Sequence, residues 1–293
     1  MQSSPSQPAQ VRTIGYATLA MVAFAANSVL CRVALRQATI DPATFSTIRF
    51  TSGAATLLLL TARPQTRALP AAVSWMPALL LALYATTFSF AYTRLTTGTG
   101  ALIMFGSVQA TMLIAALLAG ERPHASQWLG LGVALTGLAY LVFPGLSAPP
   151  FADAALMGIA GFSWGMYSLR GRRTADPLVQ TANNFVRVVP FLLAVSVVAL
   201  PRFHLEVSGL LLACASGILA SGLGYVAWYA ALAGLTATRA AIVQLAVPVL
   251  AAAAGVMLLG ETISVRLVLS TIAILGGIAL AVVGREGTPG AGL

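Results

Sequence analysis

The sequence predicts an all-α integral membrane protein whose ten transmembrane helices form two inverted five-helix repeats. Three observations predict this fold: the scarcity of charge, the length of the apolar runs, and landmarks shared by the two halves. The chain is 58% hydrophobic and only 8% charged, whereas soluble globular domains carry about 25% charged residues. So few charges could not cover the surface of a soluble fold of 293 residues, but a lipid bilayer requires no such cover.

The apolar runs predict helices and are too uniform for a β-barrel. Residues 101–119 and 265–283 show no alternation of apolar and polar side chains, which barrel strands of about ten residues would show. A helix of about 20 apolar residues crosses the hydrocarbon core of a bilayer. The ten predicted spans are 14–35, 43–61, 76–95, 99–119, 126–143, 153–169, 181–200, 206–231, 237–259 and 264–284.

The connections between these spans are short, so the prediction includes no domain outside the membrane. The predicted divisions are a tail (1–13), a first repeat (14–146), a second repeat (147–284) and a C-terminal tail (285–293). An even number of spans places both termini on one side. Nine arginines lie in the tails and loops of that side against five on the other, which favours cytoplasmic termini. All 16 basic residues are arginine, which is typical of a GC-rich prokaryotic genome and indicates a prokaryotic inner membrane. The net charge of +9 lies mainly at span ends, where lipid headgroups explain it better than nucleic acid does.

Landmarks of the first half recur in the second half in the same order, at two nearly equal offsets of 140 and 138 positions. The matched pairs are Gly120-Glu121 with Gly260-Glu261, Arg32 with Arg170, and Arg49 with Arg187. Chance similarity between Ala- and Gly-rich helices is the alternative explanation. Because five is an odd number, a second copy of five helices enters the membrane upside down, and inverted repeats are characteristic of secondary transporters.

With these motifs the chain resembles the drug/metabolite transporter superfamily, specifically its ten-helix EamA-type exporters. The resemblance also includes Phe24-Ala25-Ala26-Asn27-Ser28 and Arg32 in the first span, where the family often has Trp-Gly and a lysine. It implies export of small organic metabolites by alternating access through a central cavity between the repeats. Amino acids, including aromatic and other apolar ones, are the leading substrate class that the resemblance implies, and it does not fix the substrate.

Several polar and aromatic side chains fall near the middle of predicted spans, where an unpaired polar group is costly. They either line a wet cavity, where ring faces and polar handles suit an apolar organic solute, or pack between helices. Pro248 removes a helical hydrogen bond at the turn that holds Gln244 and is expected to bend that helix. The substrate-binding candidates are Asn27, Gln109, Trp164, Tyr167, Tyr225, Trp228 and Gln244.

Four charged residues are candidates for gating or for structural roles. Arg49 and Arg187 lie inside the second and seventh spans, and an arginine within a span should face protein or water. Each either contacts a substrate carboxylate, forms part of a gate, or caps a helix end by reaching toward the headgroups. Glu121 and Glu261 are expected to cap the loops that follow them.

The sequence also argues against other functions. All seven carboxylates lie at span ends or in loops, so transport down the gradient of the substrate is favoured over proton or sodium coupling. The absence of lysine excludes a P-loop ATPase site, and no cofactor or metal site is expected. A lipid-modifying membrane enzyme would need clustered catalytic side chains, which this chain lacks. Such an enzyme and a passive channel are the two alternatives to a transporter. The expected partners are a small-molecule substrate and membrane lipids, with the protein a monomer or weak homodimer.

Overall fold

A computed structural model of the protein describes residues 7–62, 74–118, 125–143, 148–171, 176–235, 240 and 243–283. These residues fold almost entirely into helices, and the described part contains one isolated β-bridge, between Ile40 and Leu205. The described residues contain ten long helices in succession, and a 3₁₀ turn, Leu200–Arg202, lies between the seventh and the eighth. The helices are α1 (Gln7–Arg36), α2 (Pro42–Thr61), α3 (Met76–Ala91), α4 (Thr97–Leu118), α5 (Ala125–Val142), α6 (Phe151–Gly171), α7 (Pro177–Val198), α8 (Val207–Leu232), α9 (Ala246–Leu259) and α10 (Val265–Val283).

The helices correspond one to one with the predicted spans, which confirms the all-helical class. Three regions, Val11–Arg36, Pro177–Val198 and Val207–Leu232, are long and apolar enough by themselves to cross a membrane. Shorter apolar stretches lie in α3, α5, α9 and α10. The ten-span topology itself stays a prediction.

The second helix of each half begins with the same capping device. Asp41 accepts hydrogen bonds from the backbone N–H groups of Ala43 and Thr44, and Pro42 occupies the first helical turn. Asp176 does the same for the second and third residues of α7, after Pro177. The carboxylate satisfies amides that have no partner within the helix, and proline has no N–H group to satisfy at this position.

The Gly-Glu landmark at the end of α9 has a conformational cause. Gly260 ends the helix with a positive φ of 61°, a left-handed conformation that glycine adopts without strain. The following amide, that of Glu261, then donates to the carbonyl of Gly255 at 3.1 Å. Glycine therefore turns the chain, and the turn directs the Glu261 side chain back over the helix ends.

The most extensive helix contacts join the two halves of the chain rather than helices of the same half. Helix α5 packs on α10, α2 on α7, and α4 on α9. The other extensive contacts between the halves occur in matched pairs: α3 packs on α6 as α8 packs on α1, α4 on α6 as α9 on α1, and α3 on α7 as α8 on α2. Exchanging each helix with the one five places later reproduces this pattern.

Candidate functional site

A cavity lies between the two halves, near the middle of α1 and α8. It is a small cavity, with a volume of about 30 Å³. Helices α1, α2, α3 and α4 contribute from the first half, and α6 and α8 contribute from the second half. Its polar side chains are Asn27, Ser28, Arg49 and Ser221, and its aromatic side chains are Phe24, Tyr84, Phe88, Phe105, Trp164 and Tyr225.

The polar side of the cavity is organised by an irregular stretch of α8. Residues Ser216–Leu223 form a π-helix, a rare geometry that often occurs at functional sites. The Ser216 hydroxyl donates to Oδ1 of Asn27 at 2.8 Å, and the Ser221 hydroxyl accepts from Nε of Arg49 at 3.1 Å. The π-helix therefore connects α8 to both α1 and α2 across the interface between the halves.

Close approach of α8 to α2 depends on Gly217. A Cβ atom at this position would lie 2.2 Å from the backbone oxygen of Arg49 and 2.0 Å from the Ser52 hydroxyl oxygen. No side chain fits there, so glycine lets the backbones pack at a distance that brings Ser221 to Arg49.

Arg49 is the cation of the cavity and is only 3% exposed. Its Nη2 donates to the Tyr84 hydroxyl at 3.0 Å. Its guanidinium carbon lies 5.1 to 5.4 Å from the ring centroids of Phe50, Tyr84 and Phe88, a distance at which cations and ring faces attract. Its Nη1 is buried and has no hydrogen-bond partner among the residues that the structure describes. A helix-end cap reaching toward headgroups therefore does not describe Arg49.

An aromatic wall faces this cation. The Trp164 indole N–H donates to the Tyr225 hydroxyl at 3.1 Å. Phe105 lies 6.2 Å from Trp164, and Phe24 lies 5.8 Å from Tyr225, between ring centroids. These rings come from α1, α4, α6 and α8, so both halves build the apolar side of the cavity.

The remaining predicted substrate-binding residues are not among the residues that line the cavity. Tyr167 is buried in a polar cluster, where it contacts the Thr181 hydroxyl and the Asn184 amide. Trp228 packs beside Phe24, with ring centroids 6.1 Å apart. Gln244 is buried and Gln109 is partly buried.

The structure agrees with the expected bend at Pro248 but does not place Arg187 at the cavity. Regular α9 begins at Ala246, and Leu245 forms a turn between it and Gln244, which agrees with a break at the hydrogen bond that Pro248 lacks. Arg187 is partly exposed and does not line the cavity, unlike its counterpart in the first half. Glu121 lies outside the described residues.

An ion pair joins the two halves at the end of the molecule where α1, α4 and α9 meet. Nε of Arg32 lies 3.4 Å from Oε1 of Glu261, with side-chain exposures of 11% and 7%. Nη1 of Arg32 donates to the carbonyls of Tyr92 and Thr93, both at 2.9 Å. Oε2 of Glu261 accepts from the backbone N–H of Thr97 at 2.8 Å. Glu261 thus caps the start of α4 and not the loop that follows it, because the turn at Gly260 points its side chain toward the first half.

Further hydrogen bonds join the two halves at this same end. The Asp41 amide donates to the His204 carbonyl at 3.0 Å, and the Glu206 amide donates to the Thr39 carbonyl at 2.8 Å. Arg36 donates to the Leu259 carbonyl at 2.6 Å. The α1–α2 and α7–α8 connections are therefore held together at the same end as the Arg32–Glu261 pair.

Sequence reasoning missed four of the six aromatic side chains that line the cavity, together with the hydroxyl of Ser221. Tyr84 lies in the middle of α3, and the criterion that selected Tyr225, a mid-span ring with a polar handle, would also have selected it. Serine is common in membrane helices, so neither Ser216 nor Ser221 carried a signal.

The comparisons with known proteins agree with this architecture. The profile of the EamA-like transporter family matches residues 11–143 and again residues 154–283. The chain therefore belongs to the EamA-like transporter family, and it is a membrane protein with the two-repeat architecture of that family.

Relatives cover nearly the whole chain. An uncharacterized protein of Pseudomonas aeruginosa is 49% identical over 94% of this chain and 96% of its own length. A protein of Salmonella typhimurium described as a probable amino-acid metabolite efflux pump is 24% identical over 92% of this chain and 94% of its own length. A crystal structure with 19% sequence identity superposes with a TM-score of 0.65, covering 94% of this chain and 99% of the other, and it supports the fold alone.

Proposed function

We propose that the protein is a secondary transporter that exports small organic metabolites, with amino acids as the leading class, by alternating access. The cavity between the halves carries this proposal. Its lining combines one amide and one guanidinium with six aromatic rings, a chemistry suited to a solute with a polar head and an apolar or aromatic side chain. The name of the Salmonella relative supports the same substrate class.

The matched packing of the two halves supports an inverted repeat. Every extensive contact either joins a helix to its own counterpart or has a partner contact related by exchange of the halves. Because each unit would contribute five spans, an odd number, the two units would enter the membrane in opposite orientations. Each can then take up the conformation of the other, which gives two carrier states of similar energy.

The Arg32–Glu261 contacts support a conformation that is closed at one end. Arg170, which the duplication pairs with Arg32, is exposed, and its Nη1 donates only to the Met166 carbonyl of its own helix among the described residues. If both termini are cytoplasmic, as the arginine distribution predicts, the closed end faces the outside. We place the protein in the inner membrane of a prokaryote as a monomer or weak homodimer without enzymatic activity.

Flux into proteoliposomes tests this function. The purified protein is reconstituted and assayed with a panel of radiolabelled aromatic, aliphatic and polar amino acids. We expect saturable flux of apolar amino acids and a strong loss in Asn27→Ala, measured per folded molecule. Gln244→Ala, which alters a buried amide outside the cavity lining, is the matched control and should retain most flux. The function is contradicted if no member of the panel crosses faster than in protein-free vesicles.

A further inference from the structure

We infer that Arg49 recognises the carboxylate of the transported solute and that the cavity therefore requires a carboxylate but not an amino group. This inference rests on the proposed transport function and narrows its substrate class. It predicts that small monocarboxylates with an apolar or aromatic side chain are carried whether or not they bear an α-amino group.

The first argument compares the two buried arginines of the described structure. Arg32 has a carboxylate partner, Glu261, and two backbone carbonyls as acceptors, so its charge is neutralised within the protein. Arg49 is more deeply buried, and its partners are two hydroxyls and aromatic rings. No carboxylate pairs with it among the described residues. A buried cation without a counter-ion is costly to retain.

The second argument is the geometry of the free nitrogen. Guanidinium presents its N–H donors in a planar fork that matches a carboxylate. Nε and Nη2 of Arg49 are held by Ser221 and Tyr84 through N–H groups that lie in the guanidinium plane. Nη1 is buried and has no hydrogen-bond partner among the described residues, in a side chain that lines the cavity. The anchoring hydroxyls therefore fix the guanidinium and leave one nitrogen for an incoming anion.

The third argument concerns the opposite end of the solute. None of the described residues that line the cavity is a carboxylate. An α-ammonium group would find only neutral oxygens, such as the Ser28 hydroxyl and the Asn27 amide, or ring faces. Neutral acceptors discriminate far less between charged and uncharged groups than an ion pair does. The rings of Phe105 and Trp164 suit an apolar side chain.

The Tm of the wild-type protein, measured in the presence of each of four probes, tests the inference without any variant. The probes are phenylalanine, 3-phenylpropionate (which lacks the amino group), phenylethylamine (which lacks the carboxylate) and phenylalaninamide (which masks it). Phenylalanine and 3-phenylpropionate should raise the Tm and compete with each other. Neither of the other two probes should do so. Equal stabilisation by phenylethylamine, or none by either carboxylate, would overturn the inference.

Transport by an Arg49 variant supplies a second test. Arg49→Met keeps length and apolar character and should lower kcat/KM for both carboxylates by about 10- to 100-fold, the loss expected for a hydrogen bond to a charged group. Arg202→Met, which changes an exposed arginine outside the cavity lining, is the matched control and should transport like wild type. Wild-type kcat/KM in Arg49→Met contradicts the inference while leaving the transporter proposal intact. Absence of flux in the wild-type protein contradicts the transporter proposal instead.

Discussion

Removal of the Glu261 carboxylate should open the closed end of the molecule. In Glu261→Ala, Arg32 loses its only carboxylate partner in the described structure, and the Thr97 amide loses its acceptor. Breaking a buried ion pair costs about 3–5 kcal/mol. We take the lower value because Arg32 keeps two carbonyl acceptors. The pair joins the two halves, so this cost falls on the closed conformation, and about 3 kcal/mol corresponds to a change of roughly 100-fold in the equilibrium. Glu261→Gln keeps a neutral acceptor and should shift the equilibrium between the closed and open conformations by about tenfold.

Cys31 is a native reporter of this opening. It lies next to Arg32, is fully buried, and is within 3.9 Å of the Ser89 hydroxyl. In a Cys214→Ser background, a maleimide should label Cys31 slowly in the otherwise unchanged protein and about 100-fold faster in Glu261→Ala. The labelling is done well below the Tm of each variant, so that unfolded protein does not contribute.

Glu206→Ala is the control for this measurement. Glu206 lies at the same end of the molecule but pairs with His204 at the surface, where the two side chains are 54% and 53% exposed. Its removal should leave labelling of Cys31 unchanged. Equal labelling rates in Glu261→Ala and the unchanged protein, or an equal increase in Glu206→Ala, would refute the assignment of Glu261 to closure.

Three further predictions concern packing, the aromatic wall and coupling. Gly161→Ala should lower stability by about 1–3 kcal/mol in thermal unfolding, since its Cβ would lie 2.4 Å from the Met104 backbone oxygen; Gly158→Ala, with 3.8 Å to its nearest neighbour, should not. Trp164→Phe and Tyr225→Phe remove the same hydrogen bond, so each should lower the free energy of unfolding by about 1 kcal/mol. Additive effects in the double variant would contradict this hydrogen bond. Flux should proceed without proton movement, and a substrate-driven pH change in sealed vesicles would show this wrong.

The sequence predicted the depth of the site residues better than the direction in which they point. Asn27, Trp164 and Tyr225 were correctly placed in the middle of their helices, and all three line the cavity. Gln244 and Trp228 were chosen by the same criterion, yet neither lines it. In a soluble helix the polar face identifies the buried face by contrast. Lipid and the protein interior are both apolar, so this contrast is weak in membrane helices. The hydrophobic pattern therefore does not show which face of a helix points into the protein.

The helix boundaries were more predictable because local chemistry sets them. Asp41 precedes Pro42 at the start of α2, one residue before the predicted span, and Gly260 ends α9 at the predicted boundary. The seventh helix begins at Pro177 after Asp176, whereas the predicted span began at residue 181. Contacts between distant segments were not predictable in the same way. The π-helix of α8, which brings Ser216 to Asn27, has no local signature because its geometry depends on packing against α1 and α2. The Arg32–Glu261 pair likewise joins residues from opposite halves.

Counterflow in proteoliposomes tests most directly the central claim that the cavity serves an alternating-access carrier. Vesicles loaded with unlabelled phenylalanine are diluted into a trace of labelled phenylalanine. A carrier exchanges one for the other, so labelled solute should accumulate transiently above its external concentration and then decline. A channel gives simple equilibration. Transient accumulation that Asn27→Ala abolishes and Gln244→Ala preserves is the predicted result, and equilibration without any overshoot in the wild-type protein would contradict the account.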